Sequence, residues 1–223
     1  MLFDPKNVFP ITVHGKKISL FHLERALKKA GVVTELWPQY PSAKSVPHLR
    51  ANLLSGRTQL FRYDLSLVLV ERILVLDVRH LVAINRTEHL FELVRDSHHD
   101  AASPGNVEHL LHNNVAMRMR HDEKLADALK RCVGQKLPFI GATDLLLDSP
   151  EPREQESIVC MSKRYPGIRE VQRPFFFSGI LLDEQYHQTY IVTRKKRGRP
   201  VRSIYAWREH EPDLSKPMVI TLT

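Results

Sequence analysis

Leu67-Val68-Leu69-Val70-Glu71-Arg72-Ile73-Leu74-Val75-Leu76-Asp77-Val78 is the run on which the architecture turns. Leucine and β-branched residues fill every position except Glu71, Arg72 and Asp77. Two buried strands joined at Glu71-Arg72, or one long strand, fit this composition. A buried helix is the rival, because a continuous apolar run carries no period to separate them. From Val78 to Val94 the spacing changes: Leu81, Ile84, Leu90, Phe91 and Val94 recur at helical intervals, which predicts a helix there. After a polar loop over Asp96 to Asn106, a further helix or helix pair is expected from about Val107 to Val133, with Gly134 as its stop.

Upstream, Val8 to Val13 is β-prone and His14-Gly15-Lys16-Lys17 reads as a turn. Ser19 then caps a helix to about Ala30, with Phe21, Leu23 and Leu27 among its apolar positions and Gly31 as the stop. Val32 to Leu36 reads as a short strand, Pro38 to Pro47 as a loop, and His48 to Leu54 as a helix ending at Ser55-Gly56. Downstream, Asp148 to Glu156 is acidic and proline-bearing, which marks a loop or hinge. Phe175 to Leu182, Gln188 to Thr193 and Val201 to Trp207 read as strands. The expected fold is α+β, with a helical middle and a strand-rich C-terminal part carrying a basic hairpin. Its regions are 1–147, mixed and then helical, and 148–223, or one single domain.

At 223 residues, 43% apolar and 26% charged, the chain has the composition of a globular protein. No stretch approaches the roughly 18 apolar residues of a membrane-spanning helix, so no membrane partner is expected. Met1-Leu2-Phe3-Asp4-Pro5 lacks the basic region and small-residue cleavage site of a signal peptide. Two cysteines, Cys132 and Cys160, are too few for a disulfide framework or a clustered thiolate zinc site. Both read as small apolar residues in a reducing cytoplasm.

The net charge is +8, from 33 Lys and Arg against 25 Asp and Glu. Six of those cations, Arg194, Lys195, Lys196, Arg197, Arg199 and Arg202, fall within nine residues that hold no acid. Without these six, +2 of the +8 remains, so the excess is local and reads as a site. Gly198 and Pro200 suit a turn between the flanking strands. Six cations on one turn repel one another; phosphate oxygens relieve that repulsion, and counterion release adds a salt-sensitive driving force.

The core Arg197-Gly198-Arg199-Pro200, with Arg194, Lys195 and Lys196 before it and Arg202 after it, resembles the AT-hook, a short motif of many DNA-binding proteins. The resemblance covers about nine residues. It implies that Arg197 and Arg199 enter the minor groove of A·T-rich DNA while the flanking cations hold phosphates. Glycine leaves the groove floor unobstructed, and the narrow groove's negative potential attracts arginine. The strand-like flanks differ from the polar setting usual for that motif and leave two readings, a protruding hairpin arm that works similarly or a chance match in a basic turn.

Other constellations carry less. His98-His99-Asp100, His109 and His112 could ligate a divalent cation, with Asp122 or Glu123 completing the set. A polar loop followed by a solvent-facing helix surface explains them more simply, and no metal is assigned. There is no Gly-x-Ser-x-Gly elbow, phosphate-binding loop or dinucleotide fingerprint, so neither a catalytic residue nor a cofactor is assigned. His14 is the most suggestive position for a metal-independent ribonuclease, and reads more simply as a turn residue. A stretched helix-turn-helix would present Ser42, Lys44, Ser45, His48 and Arg50, although its connection is longer than the usual tight turn. Trp37, Tyr40 and Phe61 could stack on unpaired bases, core packing being the commoner role.

The function expected first is a non-enzymatic nucleic-acid-binding protein, with DNA ahead of RNA: a regulator or architectural factor whose site is Arg194, Lys195, Lys196, Arg197, Gly198, Arg199 and Arg202. The alternatives are an RNA-binding ribonucleoprotein subunit, including a metal-independent endoribonuclease, and a protein–protein adaptor or self-assembling protein.

Overall fold

Strands, not helices, fill the middle of the chain. The computed structural model describes residues 9–10, 19–63, 66–84, 87–100, 115–141, 144–182, 189–196 and 199–209. In chain order its elements are β1 (Phe9–Pro10), α1 (Leu20–Lys29), a 3-10 helix (Thr34–Gln39), α2 (Val46–Leu54), β2 (Gln59–Tyr63), β3 (Ser66–Ile84) and β4 (Thr87–Asp100). There follow β5 (Val115–Arg118), α3 (Leu125–Lys136), β6 (Leu145–Leu147), β7 (Arg153–Glu154), β8 (Ile158–Met161), β9 (Arg169–Leu181), β10 (Thr189–Lys196) and β11 (Arg199–Glu209). The chain divides into two compact units: Met1–Val75, Ala116–Gln135 and Glu151–Phe177, and Leu76–Val115, Lys136–Pro150 and Ser178–Thr223.

In the first unit α1 begins where its cap predicts. Ser19 is extended, and its hydroxyl accepts the His22 amide at 3.1 Å. At the other end Gly31 takes φ +73°, and the amides of Gly31 and Val32 donate to the carbonyls of Lys28 and Leu27. That is a Schellman closure, which needs the left-handed residue that glycine supplies. Leu23 and Leu27, one turn apart, are fully buried. They pack in one core with Trp37, Leu49, Leu53, Leu60, Leu67, Leu69, Tyr165 and Ile168. Val32 to Leu36, expected to be a strand, leads instead into the 3-10 helix that buries Trp37.

Glu71 and Arg72 do not separate two strands; β3 runs through them. Leu67 and Leu69 belong to the helix-side core, whereas Val68 and Val70 cluster with Val171. Both faces are therefore covered, which is why the sequence shows a continuous apolar run and no alternation. β2 pairs antiparallel with β3, from Gln59↔Val70 to Tyr63↔Ser66. β7 and β8 pair antiparallel with β9, the latter from Ile158↔Gln172 to Met161↔Arg169.

In the second unit the helix expected from Val78 to Val94 is absent. That stretch is the end of β3 and the start of β4, antiparallel from Arg79↔Glu92 to Ile84↔Thr87. Cross-strand pairing overrides the helical spacing, and Leu81 is 47% exposed while Leu93 is 1% exposed. Asn85-Arg86 lacks the glycine that announces a tight hairpin. The helix expected from Val107 to Val133 is likewise corrected: residues 107–114 lie outside the described residues, and Val115–Arg118 is the strand β5. Among the described residues of that stretch Leu125–Lys136 is helical, and Gly134 lies inside α3 rather than ending it. The α+β assignment with a helical middle therefore gives way to a strand-dominated chain.

β4 pairs in turn with β11, and β11 with β10, both ladders antiparallel. Leu93, Val192, Tyr205 and Trp207 are buried. The Phe139 and Tyr190 rings stack at 3.9 Å between centroids, and Trp207 lies 5.5 Å from the His80 ring. Among the described residues no helix is long and apolar enough to cross a membrane. Cys132 is buried on α3, whereas Cys160 is exposed on β8, and the two form no disulfide with each other.

Candidate nucleic-acid interface

The cationic segment straddles two paired strands. Arg194, Lys195 and Lys196 end β10, and Arg199 and Arg202 lie at the start of β11. The register is Lys196↔Arg199, Lys195↔Pro200, Arg194↔Val201 and Thr193↔Arg202. Arg197 and Gly198 fall between the strands and lie outside the described residues, so the centre of the AT-hook-like core is not described. Pro200 sits where the β4–β11 ladder has not begun, its first pair being Val201↔Asp100. A residue without an amide hydrogen is accommodated at such a strand end.

Strand alternation divides these positions. Positions 194, 196 and 199 share the face of the buried Val192 and Ser203; positions 195 and 202 share the opposite face with the exposed Thr193. The arm is rooted through its own strands. Tyr190, four residues before Arg194, stacks on Phe139, and Tyr205, three residues after Arg202, is 1% exposed. Burying these aromatic rings holds the base of the hairpin against the rest of its unit.

The remaining sequence candidates scatter. His98, His99 and Asp100 sit on β4 opposite Ser203, Arg202 and Val201, while His109 and His112 lie outside the described residues. Among the described residues no group of three metal-ligating side chains converges. Glu123 is engaged by Arg131, whose Nε and Nη2 donate to its two oxygens at 2.7 Å each. His14 is outside the described residues. Sixteen residues, including the 3-10 helix, separate α1 from α2, so these helices do not make a tight helix-turn-helix. Ser42, Lys44 and Ser45 are exposed, and His48 and Arg50 half-buried. Trp37 is core and donates to the Pro166 carbonyl at 3.0 Å; Phe61 is half-buried and Tyr40 exposed.

Sequence reading missed the strongest electrostatic feature, a charge network inside the first unit. Glu71, 1% exposed on β3, lies 2.8 Å from Arg118 Nε of β5 and 2.9 Å from Arg164 Nη2. Arg164 Nη2 also meets Glu170 of β9 at 2.7 Å. Thr58 donates to Glu71 at 2.8 Å, and Ser162 and Gln172 donate to Glu170 at 2.7 and 2.8 Å. Burial opposes the charge on Arg164, but the two carboxylates outweigh it and raise its pKa. Burial lowers that of Arg118, only partly offset by Glu71. For Glu170 burial raises the pKa, yet Arg164 and the hydrogen bonds prevail and hold it below the carboxylate range. Glu170, so saturated, holds no proton near neutrality, and the network joins β3, β5 and β9 through charge. Glu71-Arg72, the charged pair inside an apolar run, was its one visible signal.

Comparison with protein-family models, curated proteins and solved structures gave no match.

Proposed function

We propose that the protein binds nucleic acid, DNA in preference to RNA, through the β10–β11 hairpin, as a non-enzymatic regulator or architectural factor. The observation that carries this reading is the register Lys196↔Arg199, Lys195↔Pro200, Arg194↔Val201 and Thr193↔Arg202, which sets five of the six clustered cations along the paired ends of β10 and β11, with β4 beside β11 from Val201 onward. A free tail would lose conformational freedom on binding; paired strands have lost it already. Among the described residues the pairs Lys195↔Pro200 and Lys196↔Arg199 lie beyond the β4–β11 ladder, and a two-stranded tip of that kind fits the major groove, which is about 12 Å wide. Minor-groove insertion, as the AT-hook resemblance implies, needs Arg197 to Pro200 extended in one line, and the antiparallel pair Lys196↔Arg199 does not favour that version.

The test is a titration of nuclease-treated protein with labelled A·T-rich duplex, G·C-rich duplex and structured RNA at low salt. Binding that favours duplex DNA and weakens in an R197A/R199A variant supports the reading. Preference for RNA moves the assignment to a ribonucleoprotein role, and retention of no nucleic acid leaves a protein partner for the arm.

A further inference from the structure

Outside the six cations of the arm +2 of the net charge remains, and that small figure is the difference of two large ones. The first unit holds 21 Lys and Arg against 12 Asp and Glu, a charge of +9. The second, without the six, holds 6 cations against 13 acids, a charge of −7. A body of +9 repels itself and attracts polyanions. Within it the ion pairs cancel: Glu71 and Glu170 answer Arg118 and Arg164, and Glu123 answers Arg131. The surplus comes from cations outside these pairs.

Four of those, Lys44, Arg57, Arg120 and Lys163, are exposed and are joined through the buried network. The Gly56 carbonyl accepts the His121 amide at 2.9 Å, which sets Arg57 beside Arg120. Burial alternates from Val115 to Arg120, so Arg118 and Arg120 point outward together. Arg118 reaches Arg164 through Glu71, at 2.8 and 2.9 Å. The Arg164 carbonyl accepts the Lys44 amide at 2.8 Å, and Lys163 precedes it in the chain. The result is one row of six cations: Arg57, Arg120, Arg118, Arg164, Lys163 and Lys44. Glu71 and Glu170 beneath it are 1% and 3% exposed, whereas the Arg118 side chain is 38% exposed. Asp122, exposed next to His121, offsets one charge. One end of the row is fixed in place, because Arg72 Nη1 donates to the carbonyls of His121 and Glu123 at 3.0 and 3.1 Å. A turn held in this way has little freedom left to lose on binding.

We infer that this row is a second polyanion surface, which takes the phosphate backbone of a nucleic acid without reading its sequence. A line of cations suits a linear polyanion, and contacts to phosphate carry no base information. The row shares its partner class with the hairpin but does not rest on it, since the hairpin belongs to the other unit.

Fluorescence anisotropy with nuclease-treated full-length protein tests it, on A·T-rich and G·C-rich duplexes across salt concentrations. Two variants are compared: R57Q/R120Q/K163Q on the row, and R25Q/K28Q/K29Q, which removes three exposed charges of α1 from the same unit. The row variant should make the slope of log K against log[salt] shallower by about 0.9 for each phosphate charge that its three residues neutralise, equally on both duplexes. The α1 variant should stay near wild type. All six side chains are exposed, and circular dichroism checks that both variants fold. R197A/R199A separates the row from the arm: a loss in the row variant with none in R197A/R199A removes the hairpin and leaves the row. The inference is overturned by a row variant that binds like wild type, which leaves the hairpin reading untouched. Equal losses in the row and α1 variants, a loss confined to one duplex, or a wild type that binds neither duplex overturn it too.

Discussion

Glu71 lies 2.9 Å from Arg164, a residue 93 positions later, and it does so from the middle of a strand whose neighbours Val70 and Leu74 are buried apolar residues. The pair, extended to Arg118 and Glu170, joins β3, β5 and β9 and the turn after β8 through charge as well as through backbone pairing. Buried ion pairs add little over apolar packing, but breaking one leaves a charge with no water and no partner.

Glu71→Gln should therefore cost about 3 kcal/mol of unfolding free energy, at the lower end for a broken buried pair because Arg118 is 38% exposed. Urea titration followed by Trp fluorescence measures it. Replacing Glu71 and Arg164 together should cost less than the sum of the single changes, since neither of the two is then left facing a lost partner, although Arg118 and Glu170 each lose one contact. A Glu71→Gln loss below about 1 kcal/mol would show the pair to be dispensable.

Acid should unfold the protein through the depressed carboxylates. Glu123, held chiefly by its hydrogen bond from Arg131, and Glu170, held by Arg164 and its hydrogen bonds against the effect of burial, both titrate below the ordinary value of 4.5. A group depressed in the folded state contributes stability that is present above its unfolded pKa and lost as pH falls through its folded pKa. Urea midpoints should accordingly be insensitive to these two groups near neutrality and fall below about pH 4.5. Glu170→Gln should flatten part of that fall, and an unchanged acid limb in this variant would count against the assignment.

Gly31→Ala should cost about 1 kcal/mol, since φ +73° disfavours any Cβ. No atom lies within 4 Å of the position a Cβ would take, so the cost is backbone strain alone. Gly31→Asn should therefore lose less, asparagine tolerating the left-handed region. Equal losses in both variants, read as urea midpoints, would point to some other cause.

The replacement of a helical middle by strands makes its own contrast. On a helix with the spacing of Leu81, Ile84 and Phe91, Leu81 belongs to the buried stripe. In the strand pairing Leu93 is buried and Leu81 is not. Leu93→Ala should cost about 2–5 kcal/mol and Leu81→Ala about 0.5 or less. The reverse order in thermal or urea unfolding would restore the helix.

What could be read from the sequence followed from local chemistry. Ser19 and Gly31 frame α1 because capping is decided within a few residues, and the aromatic, β-branched C-terminal runs became β9, β10 and β11 for similar reasons. The middle was misread because Leu81, Ile84, Leu90, Phe91 and Val94 satisfy a helical period by coincidence, and the Ile84↔Thr87 closure lacks a glycine turn. The cationic arm was visible because charge clustering needs no partner to be recognised. The Glu71 network was not, since Arg118, Arg164 and Glu170 come together only when β3, β5 and β9 have assembled.

The central claim is that the hairpin from Arg194 to Arg202 grips a polyanion, and the salt dependence of DNA binding tests it most directly. Measured by fluorescence anisotropy on one duplex across salt concentrations, the slope of log K against log[salt] should be shallower in R197A/R199A than in wild type, by about 0.9 for each phosphate charge that the pair neutralises. Affinity should fall at every salt concentration. Identical slopes and affinities for the two proteins would contradict the claim and remove the arm from the interface.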